Sequence, residues 1–359
     1  MKNNICIILG LTPQGLSLLR VFSRAGVEVI AFCNNKRNVG YHSKYGKKIV
    51  FDDIDDLKQK IKDNLFHLDY KPLCYITSGE LLAMVLRDFK ELYDLCEVIS
   101  SHYETIEMLA HKDRMYSVAM EKGLCVAPFC TLDKLDSFQL NFPVFVKRNY
   151  EIPLFFKAEK INSQEEFDLL LSKIEDYQKK DILVQQFIDI PSENLKEISA
   201  QFYFCKSSVK GALIAYQTRK LKKGLTASLI EITDKKLLSI ISILCTAYMN
   251  NLEYTGFAEF EFMYDAMEEK LFFLEVNTRT CGEQSAMNHK FSNLADVLLN
   301  PFNAPNLNVK IEKLYWMNII RDIRVRLQKR DFTRLGDIFR SKYDIFDIRD
   351  IKPFFRQIL

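Results

Sequence analysis

Short metal-binding motifs and disulfide patterns are absent from this sequence. Its nine cysteines include no Cys-x-x-Cys pair, and its five histidines form no His-Glu-x-x-His motif. We therefore expect reduced thiols in a cytoplasmic protein and no zinc site. No membrane span is expected, because the N-terminal apolar run Ile5–Leu9 is too brief to cross a bilayer and predicts a buried strand. The net charge of only +3 gives no strong field for nucleic acid.

The length and composition indicate a globular protein with more than one domain. The chain has 359 residues, 48% of them hydrophobic, which is enough for two or three domains with ample core. No internal repeat or low-complexity tract is visible. Functional inference therefore depends on local motifs.

Residues 256–279 carry the most informative pattern. Two segments alternate with the two-residue period of β-strands and are separated by a short polar turn, so they can pair as a hairpin. One face of each strand is apolar and is predicted to enter a core, through Phe260, Phe262, Phe272, Leu274 and Val276. The other side collects the polar groups Glu259, Glu261, Glu275, Asn277 and Arg279.

These polar groups suit a divalent cation bound to a phosphate chain. Carboxylate and amide oxygens are the ligands that Mg²⁺ prefers, and a guanidinium group can pair with phosphate charge that the metal leaves uncovered. A half-exposed hairpin with solvated charges would have the same residues. The order Phe-Glu-Phe, then Glu-x-Asn-x-Arg, favours the metal site.

The same residues resemble the metal-binding signature of the ATP-grasp ligases, most closely the branch of D-aspartate ligases and carboxylate-amine ligases. The resemblance implies an α/β (α+β) fold, with a Rossmann-like pre-ATP-grasp domain followed by a two-lobed nucleotide-binding region. The domains it implies are 1–100 (Rossmann-like), 101–188 (small lobe with the phosphate-binding strand and lid), 189–300 (C-terminal lobe with the metal site) and 301–359 (helical extension).

The glycine turn Gly10–Gly15 suggests a dinucleotide site, which the details do not support. Thr12 stands where the fingerprint requires its second glycine, and Asn34 and Asn35 replace the acid expected after the second strand. An NAD(P)-dependent dehydrogenase is therefore the less favoured alternative. In the family, this domain forms one wall of the substrate cleft.

Polar residues follow the predicted strand 73–77. Ligands bind at the carboxyl ends of parallel strands, so Ser78 and Glu80 are candidate contacts for the acceptor substrate. Ser78 could equally begin the next helix as its N-cap. Both roles are compatible.

Two lysines are candidate phosphate ligands. Lys147 ends the apolar strand 142–147, and a cation buried there would need an anionic partner. The resemblance assigns Lys147 to the α- and β-phosphates of ATP and Lys112, in a predicted helix 105–122, to the nucleotide. The lid that follows, 148–156, contains no glycine, unlike the usual family lid. A bulkier lid or altered turnover would explain this difference.

The segment 182–188 resembles the hinge between the ATP-grasp lobes. By that resemblance, adenine pairs with main-chain groups of this segment, although an isolated apolar strand has the same pattern. Glu193 or Glu197 would accept a hydrogen bond from the ribose, and Glu197 is preferred because it opens the next strand. The adenine-binding candidates are Gln185, Gln186, Phe187 and Ile188.

The basic stretch 217–227 has two interpretations. It reads as a solvated loop. Alternatively, the resemblance places Arg219 and Lys220 on phosphate or on the substrate carboxylate, with Arg219 also aiding catalysis.

We therefore predict an ATP-dependent carboxylate-amine ligase that forms an amide through an acylphosphate and releases ADP and phosphate, in cell-envelope or surface-polysaccharide biosynthesis. Its substrates would be a small-molecule or sugar- or peptide-linked carboxylate and an amine, either an amino acid or ammonia. A homodimer is compatible with the sequence. Arg279 and Lys147 would stabilise the transferring phosphoryl group. One or two Mg²⁺ ions, replaceable by Mn²⁺, would bind Glu261, Glu275 and Asn277, with Glu259 as the alternative to Glu261.

The other alternative is a non-catalytic ATP-binding or regulatory protein on the same scaffold. The glycine-poor lid is the feature that suggests it.

Overall fold

The computed structural model describes residues 5–99, 103–150, 158–221 and 224–358. The chain forms two compact units, each of which is discontinuous in sequence. Unit 1 comprises Met1–His102, Ile198–Glu259 and Asn277–Leu359, and unit 2 comprises Tyr103–Glu197 and Phe260–Val276.

The strands are numbered in chain order. They are β1 (Ile5–Leu9), β2 (Glu28–Cys33), β3 (Lys47–Val50), β4 (Leu73–Ile76), β5 (Glu97–Val98), β6 (Phe129–Thr131), β7 (Val144–Arg148), β8 (Ala158–Ile161), β9 (Ile182–Gln186), β10 (Leu195–Cys205), β11 (Ser208–Lys220), β12 (Thr226–Glu231), β13 (Gly256–Asp265), β14 (Lys270–Asn277), β15 (Tyr315–Met317) and β16 (Lys342–Tyr343).

The helices are numbered in the same way. They are α1 (Pro13–Arg24), α2 (Ile54–Leu65), α3 (Gly79–Asp88), α4 (Leu92–Leu95), α5 (Tyr103–Ala110), α6 (Lys112–Glu121), α7 (Gln164–Leu171), α8 (Lys235–Met249), α9 (Ser285–Lys290), α10 (Leu294–Leu299), α11 (Ile319–Lys329), α12 (Gly336–Arg340) and α13 (Lys352–Ile358). Short 3₁₀ helices cover Val39–His42, Leu132–Ser137, Asp176–Asp181 and Pro301–Asn303. Among the described residues, none of the helices combines the length and the apolar character that a membrane crossing requires.

Unit 1 begins with a parallel sheet in the order β3-β2-β1-β4-β5. The predicted strand, glycine turn and helix at the N-terminus are confirmed as β1 and α1. The two glycines of the turn have a packing role. A Cβ on Gly10, whose φ is +103°, would lie 2.5 Å from Oγ1 of Thr77, and one on Gly15 would lie 1.9 Å from the carbonyl oxygen of Gly10. Close backbone approach therefore explains both glycines without a dinucleotide.

In unit 1, the strands of the second sheet have the order β13-β10-β11-β12-β15-β16. Only the part of β13 up to Glu259 belongs to this unit. The pairs β10–β11, β11–β12 and β12–β15 are antiparallel, and β15 and β16 are parallel. Apolar side chains of the two sheets share one core, which includes Ile8, Phe22, Tyr203 and Trp316. The buried indole of Trp316 donates a hydrogen bond to Oγ of Ser285 at 2.7 Å, so its polar atom is satisfied inside that core.

Unit 2 contains the four-stranded antiparallel sheet β6-β9-β7-β8. One face of this sheet packs on α7, whose N-cap Ser163 accepts a hydrogen bond from the backbone N–H of Glu166. The alternating strands leave Lys147 and Gln185 on the opposite face from the core residues Val146 and Val184.

The hairpin core differs partly from the prediction. Phe260, Phe262 and Val276 are buried as expected, but Phe272 and Leu274 are only half-buried, and Phe273 is fully buried. The Phe273 ring lies 6.1 Å from that of Tyr116 in α6. Because both faces of β14 are covered in part, its alternation does not select a single buried face.

Three segments also differ from their predicted elements. The predicted helix 105–122 is interrupted at His111, which separates α5 from α6. The acids after Asn162 and Ser163, either of which can be a cap, predict a helix over residues 161–176, but Ile161 ends β8 and α7 covers only Gln164–Leu171. Residues 217–220, predicted to be loop, continue β11 because they pair with β12. Strand pairing overrides local polarity in this last case.

A buried ion pair attaches the end of the chain to α1 in unit 1. Arg20 and Asp350 are 6% and 3% exposed, and Nε of Arg20 lies 3.0 Å from Oδ2 of Asp350. Asp350 also accepts hydrogen bonds from Oγ of Ser43 and the backbone N–H of Lys44. Arg20 additionally donates to the carbonyl of Ile345. Every charge at this point is therefore compensated.

We expect Asp350→Asn to destabilise the protein by about 3–5 kcal/mol, because it leaves the Arg20 guanidinium buried without its counter-charge. The matched control is Asp347→Asn. Asp347 pairs with Arg24 near the surface, so its substitution should cost about 1 kcal/mol or less. Free energies of unfolding from denaturant titration test the comparison, and equal losses in the two variants would contradict it.

Candidate functional site

The end of β7 fixes the start of α6 in unit 2. The backbone N–H of Lys112 donates to the carbonyl of Asn149 at 2.8 Å, and that of Asp113 donates to Oδ1 of Asn149 at 2.9 Å. Asn149 is itself buried. This contact places Lys112, the first residue of α6, with its Nζ 3.4 Å from a carboxylate oxygen of Glu275. No sequence motif indicates this role of Asn149.

Lys147 is the most strongly perturbed cation of the described chain. Its Nζ donates to the hydroxyl of Tyr116 at 2.6 Å and to Oε1 of Gln185 at 2.8 Å. Burial and, to a smaller extent, the charge of Lys112 lower the pKa of Lys147 to about 7, and the charge of Glu275 partly opposes both. Two ammonium groups thus face one carboxylate, and an added anion such as phosphate would be favoured there.

Tyr116 is a site residue that our sequence reasoning missed. It lies four residues after Lys112, so both side chains project from one face of α6, and this spacing was the available signal. Its hydroxyl donates to the carbonyl of Leu274 at 2.8 Å. Burial raises its pKa, which keeps it a neutral hydrogen-bonding group beside Lys147.

The predicted hinge borders a cavity of about 590 Å³ within unit 2. Gln185 is buried, whereas Gln186 attaches its side chain to the carbonyls of Asn141 and Pro143, at 2.7 and 3.1 Å. Phe187 and Ile188 line the cavity. Its volume lies within the usual range for small-molecule pockets. Of the two ribose candidates, Glu193 is exposed and Glu197 is half-buried.

The predicted metal ligands have suitable chemistry. Glu261 and Glu275 are half-buried carboxylates of unit 2. In unit 1, Asn277 accepts a hydrogen bond at Oδ1 from Arg279 (3.2 Å) and donates one from Nδ2 to Glu259 (3.3 Å). Carboxylate and amide oxygens are ligands that a hard divalent cation accepts, and the assignment of these three residues to one metal site stays a prediction.

Glu259 and Glu261 have different environments, although they lie two residues apart on β13. Glu259 is buried, and its second oxygen accepts a 2.6 Å hydrogen bond from Ser199. Its two oxygens are thus held within unit 1. Glu259 is therefore less available to an ATP-bound metal, and the assignment of Glu261 as its ligand stays a prediction.

The end of β4 lies beside Arg279 in unit 1. Ser78 caps α3, accepting a hydrogen bond from the backbone N–H of Leu81 at 3.2 Å, while Glu80 is exposed. A Cβ on Gly79 would lie only 3.2 Å from Nε of Arg279. Gly79, which the sequence did not indicate, therefore permits close approach of the guanidinium group. The substrate role of Ser78 and Glu80 stays a prediction.

Arg219 lies in a buried ion cluster of unit 1. Its Nε contacts Oδ1 of Asp322, whose other oxygen accepts a hydrogen bond from Arg326 at 2.5 Å. All three side chains are buried, and Nη2 of Arg219 has no hydrogen-bond partner among the described residues. Lys220 is half-buried. Their predicted contact with phosphate or substrate stays a prediction, and Asp322 was not anticipated.

Most of the predicted lid lies outside the described residues, which end at Tyr150 and resume at Ala158. The Tyr150 ring stacks on that of His111, with centroids 4.5 Å apart. Lys222 and Lys223 of the basic stretch also lie outside the described residues.

Comparison with known proteins identifies the fold. No model of a known protein family matches the chain. The chain is 25% identical over 222 residues to D-aspartate ligase of Enterococcus faecium (strain Aus0004), a match that covers 56% of this chain and 51% of that protein. It thus spans about half the length of this relative.

Solved structures match much more of the chain. An ADP complex of N5-carboxyaminoimidazole ribonucleotide synthetase matches with a TM-score of 0.70 and 13% identity, over 91% of this chain and 85% of that one. The L-amino acid ligase of Bacillus licheniformis matches with a TM-score of 0.62 and 17% identity, over 85% and 76%. The chain has the ATP-grasp fold. The predicted α/β ATP-grasp class is confirmed.

We predict that the side chain of Lys147 titrates near pH 7 and that the charges of its neighbours shift its pKa. Lys112→Met should raise the pKa of Lys147 by removing a like charge, and Glu275→Gln should lower it by removing an opposite charge. Nuclear magnetic resonance of isotopically methylated lysines measures both shifts, with Lys147→Arg to assign the signal. A Lys147 signal unmoved by either substitution would refute the described cluster.

Proposed function

We propose that this protein is an ATP-dependent carboxylate-amine ligase. The observation that carries the proposal is the group formed by Lys147, Lys112, Tyr116, Gln185 and Glu275, in which positive charge exceeds negative charge on an ATP-grasp fold. A phosphate chain would supply the missing negative charge.

Each side chain has a definite task in this reaction. Lys147 and Lys112 would hold the phosphates of ATP, and Tyr116 and Gln185 would orient the Lys147 ammonium. Glu261, Glu275 and Asn277 would hold Mg²⁺, which neutralises phosphate charge when bound. Arg279, oriented by Asn277 and the carbonyl of Thr280, would stabilise charge on the phosphoryl group.

The chemistry proceeds in two transfers. A substrate carboxylate oxygen attacks the γ-phosphorus, the bond to the bridging oxygen breaks, and ADP leaves. The acylphosphate then reacts at its carbonyl carbon with an amine, which loses a proton as the carbon–oxygen bond to phosphate breaks. The products are an amide, ADP and phosphate. Exclusion of water protects the acylphosphate from hydrolysis.

The names of two similar proteins support an amino acid as one substrate. One is a D-aspartate ligase and the other an L-amino acid ligase. The partner carboxylate would be a small molecule or a sugar- or peptide-linked acid. ATP dependence fits a cytoplasmic reaction, which forms part of the proposal.

We expect Glu275→Gln to abolish ATP-dependent turnover while the fold stays intact, because the substitution removes a charged metal ligand. Release of ADP with a panel of amino acids and carboxylates measures turnover. Glu165→Gln is the matched control, since it makes the same chemical change at an exposed position of α7 that does not line the cavity. It should retain wild-type activity.

Wild-type activity in Glu275→Gln would remove the metal assignment. Tight ATP binding with no ADP release from the wild-type protein, for any tested pair of substrates, would favour the non-catalytic alternative.

A further inference from the structure

A second group of donor atoms lies in unit 1, apart from the predicted ATP-metal ligands. It consists of Glu259, Cys281 and Glu283, which are 3%, 2% and 5% exposed. One ligand atom from each side chain lies within 4.8 Å of the others. Two carboxylates and a thiol thus meet in the interior, where acids need a compensating cation.

The surroundings orient this group. Ser199 and Asn277 donate hydrogen bonds to the two oxygens of Glu259, at 2.6 and 3.3 Å. The backbone N–H of Glu283 hydrogen-bonds to the sulfur of Cys281. Such outer contacts are typical of metal ligands, because they fix the direction of the donor atoms and stabilise their anionic forms.

Glu283 is the independent sign of a missing partner. Among the described residues, its carboxylate forms no hydrogen bond and no ion pair, although the residue is only 5% exposed. The guanidinium of Arg279, whose charge acts on Cys281, donates its hydrogen bonds to Thr280 and Asn277. A buried acid without a partner is costly, so a ligand between the three side chains would be favoured.

The chemistry of the donors identifies the class of ligand. The near-complete burial of all three residues suits a single ion better than an organic molecule. A thiolate disfavours Mg²⁺ and Ca²⁺, whereas cysteine sulfur and carboxylate oxygen are both regular ligands of Zn²⁺. Three protein donors leave a fourth tetrahedral position for water or a substrate atom.

We propose that Glu259, Cys281 and Glu283 form a binding site for a zinc-like divalent transition-metal ion. Binding would break the S–H bond of Cys281, release its proton to solvent and form a metal–sulfur bond. The ion would attach the turn after Arg279 to β13. This inference does not depend on the proposed ligase activity. It also revises the expectation of no zinc site, which rested on short motifs, whereas these ligands come from two distant segments.

Cobalt provides the direct test, because a thiolate bound to Co²⁺ gives a charge-transfer band in the near ultraviolet. The full-length protein is stripped with a chelator, titrated with Co²⁺ and then with Zn²⁺. We expect a stoichiometric Co²⁺ complex with this band, which Zn²⁺ displaces and excess Mg²⁺ does not. Cys281→Ser should lose the band, and Cys245→Ser, which alters another fully buried thiol, should keep it.

A second variant guards against misfolding of Cys281→Ser. Loss of an outer contact weakens metal affinity by up to about 100-fold, so Glu283→Gln, which alters a direct ligand, should weaken Zn²⁺ affinity by more than this. It should not lower the melting temperature of the metal-free protein. Absence of the band from the wild-type protein would overturn the proposal. The proposal would also be overturned if the band were lost in Cys125→Ser, which alters an exposed thiol, and kept in Cys281→Ser. Displacement of Co²⁺ by Mg²⁺ as readily as by Zn²⁺ would overturn it as well.

Discussion

The half-buried amine of Lys147 is the constraint on which the candidate site depends. An apolar strand carries this lysine to a position where burial and Lys112 both disfavour its ammonium form, so its pKa falls to about 7. Tyr116 and Gln185 supply hydrogen bonds without charge. A bound anion would offset the unfavourable desolvation of the ammonium form, and lysines at binding sites are commonly buried for this reason.

Two acids on the same face of β13 have different environments. Glu259 is drawn into the interior of unit 1 by Ser199 and Asn277, whereas Glu261 keeps access to solvent. Asn277 uses both ends of its amide, accepting from Arg279 and donating to Glu259. One residue therefore positions both the guanidinium that the proposed ligase would use in phosphoryl transfer and the buried carboxylate of the proposed transition-metal site.

Much of the fold could be predicted because its signals are local. The strand, turn and helix of β1 and α1, the Ser163 cap and the hairpin all follow from periodicity and capping residues. The failures have long-range causes. Residues 217–220 join a strand because β12 pairs with them and Asp322, about a hundred residues away, neutralises Arg219. Phe273 is buried because α6 covers the second face of β14.

The candidate site residues could be predicted only where they lie at motif positions. This holds for Lys112, Lys147, Glu275 and Asn277, whereas the residues that contact them lie outside any motif. Asn149 accepts a hydrogen bond from the backbone N–H of Asp113, and Gly79 leaves room for Arg279 because it has no side chain. Neither role produces a pattern in a single sequence. Likewise, no short motif joins Glu259 to Cys281 and Glu283, because the fold alone brings them together.

Calorimetric titration with ATP and Mg²⁺, above pH 7 and in buffers of different ionisation enthalpy, tests the central claim most directly. Phosphate should raise the pKa of Lys147, so we predict binding accompanied by uptake of a proton, with both effects lost in Lys147→Met. Failure to bind ATP, or binding and proton uptake that are unchanged in this variant, would contradict the account.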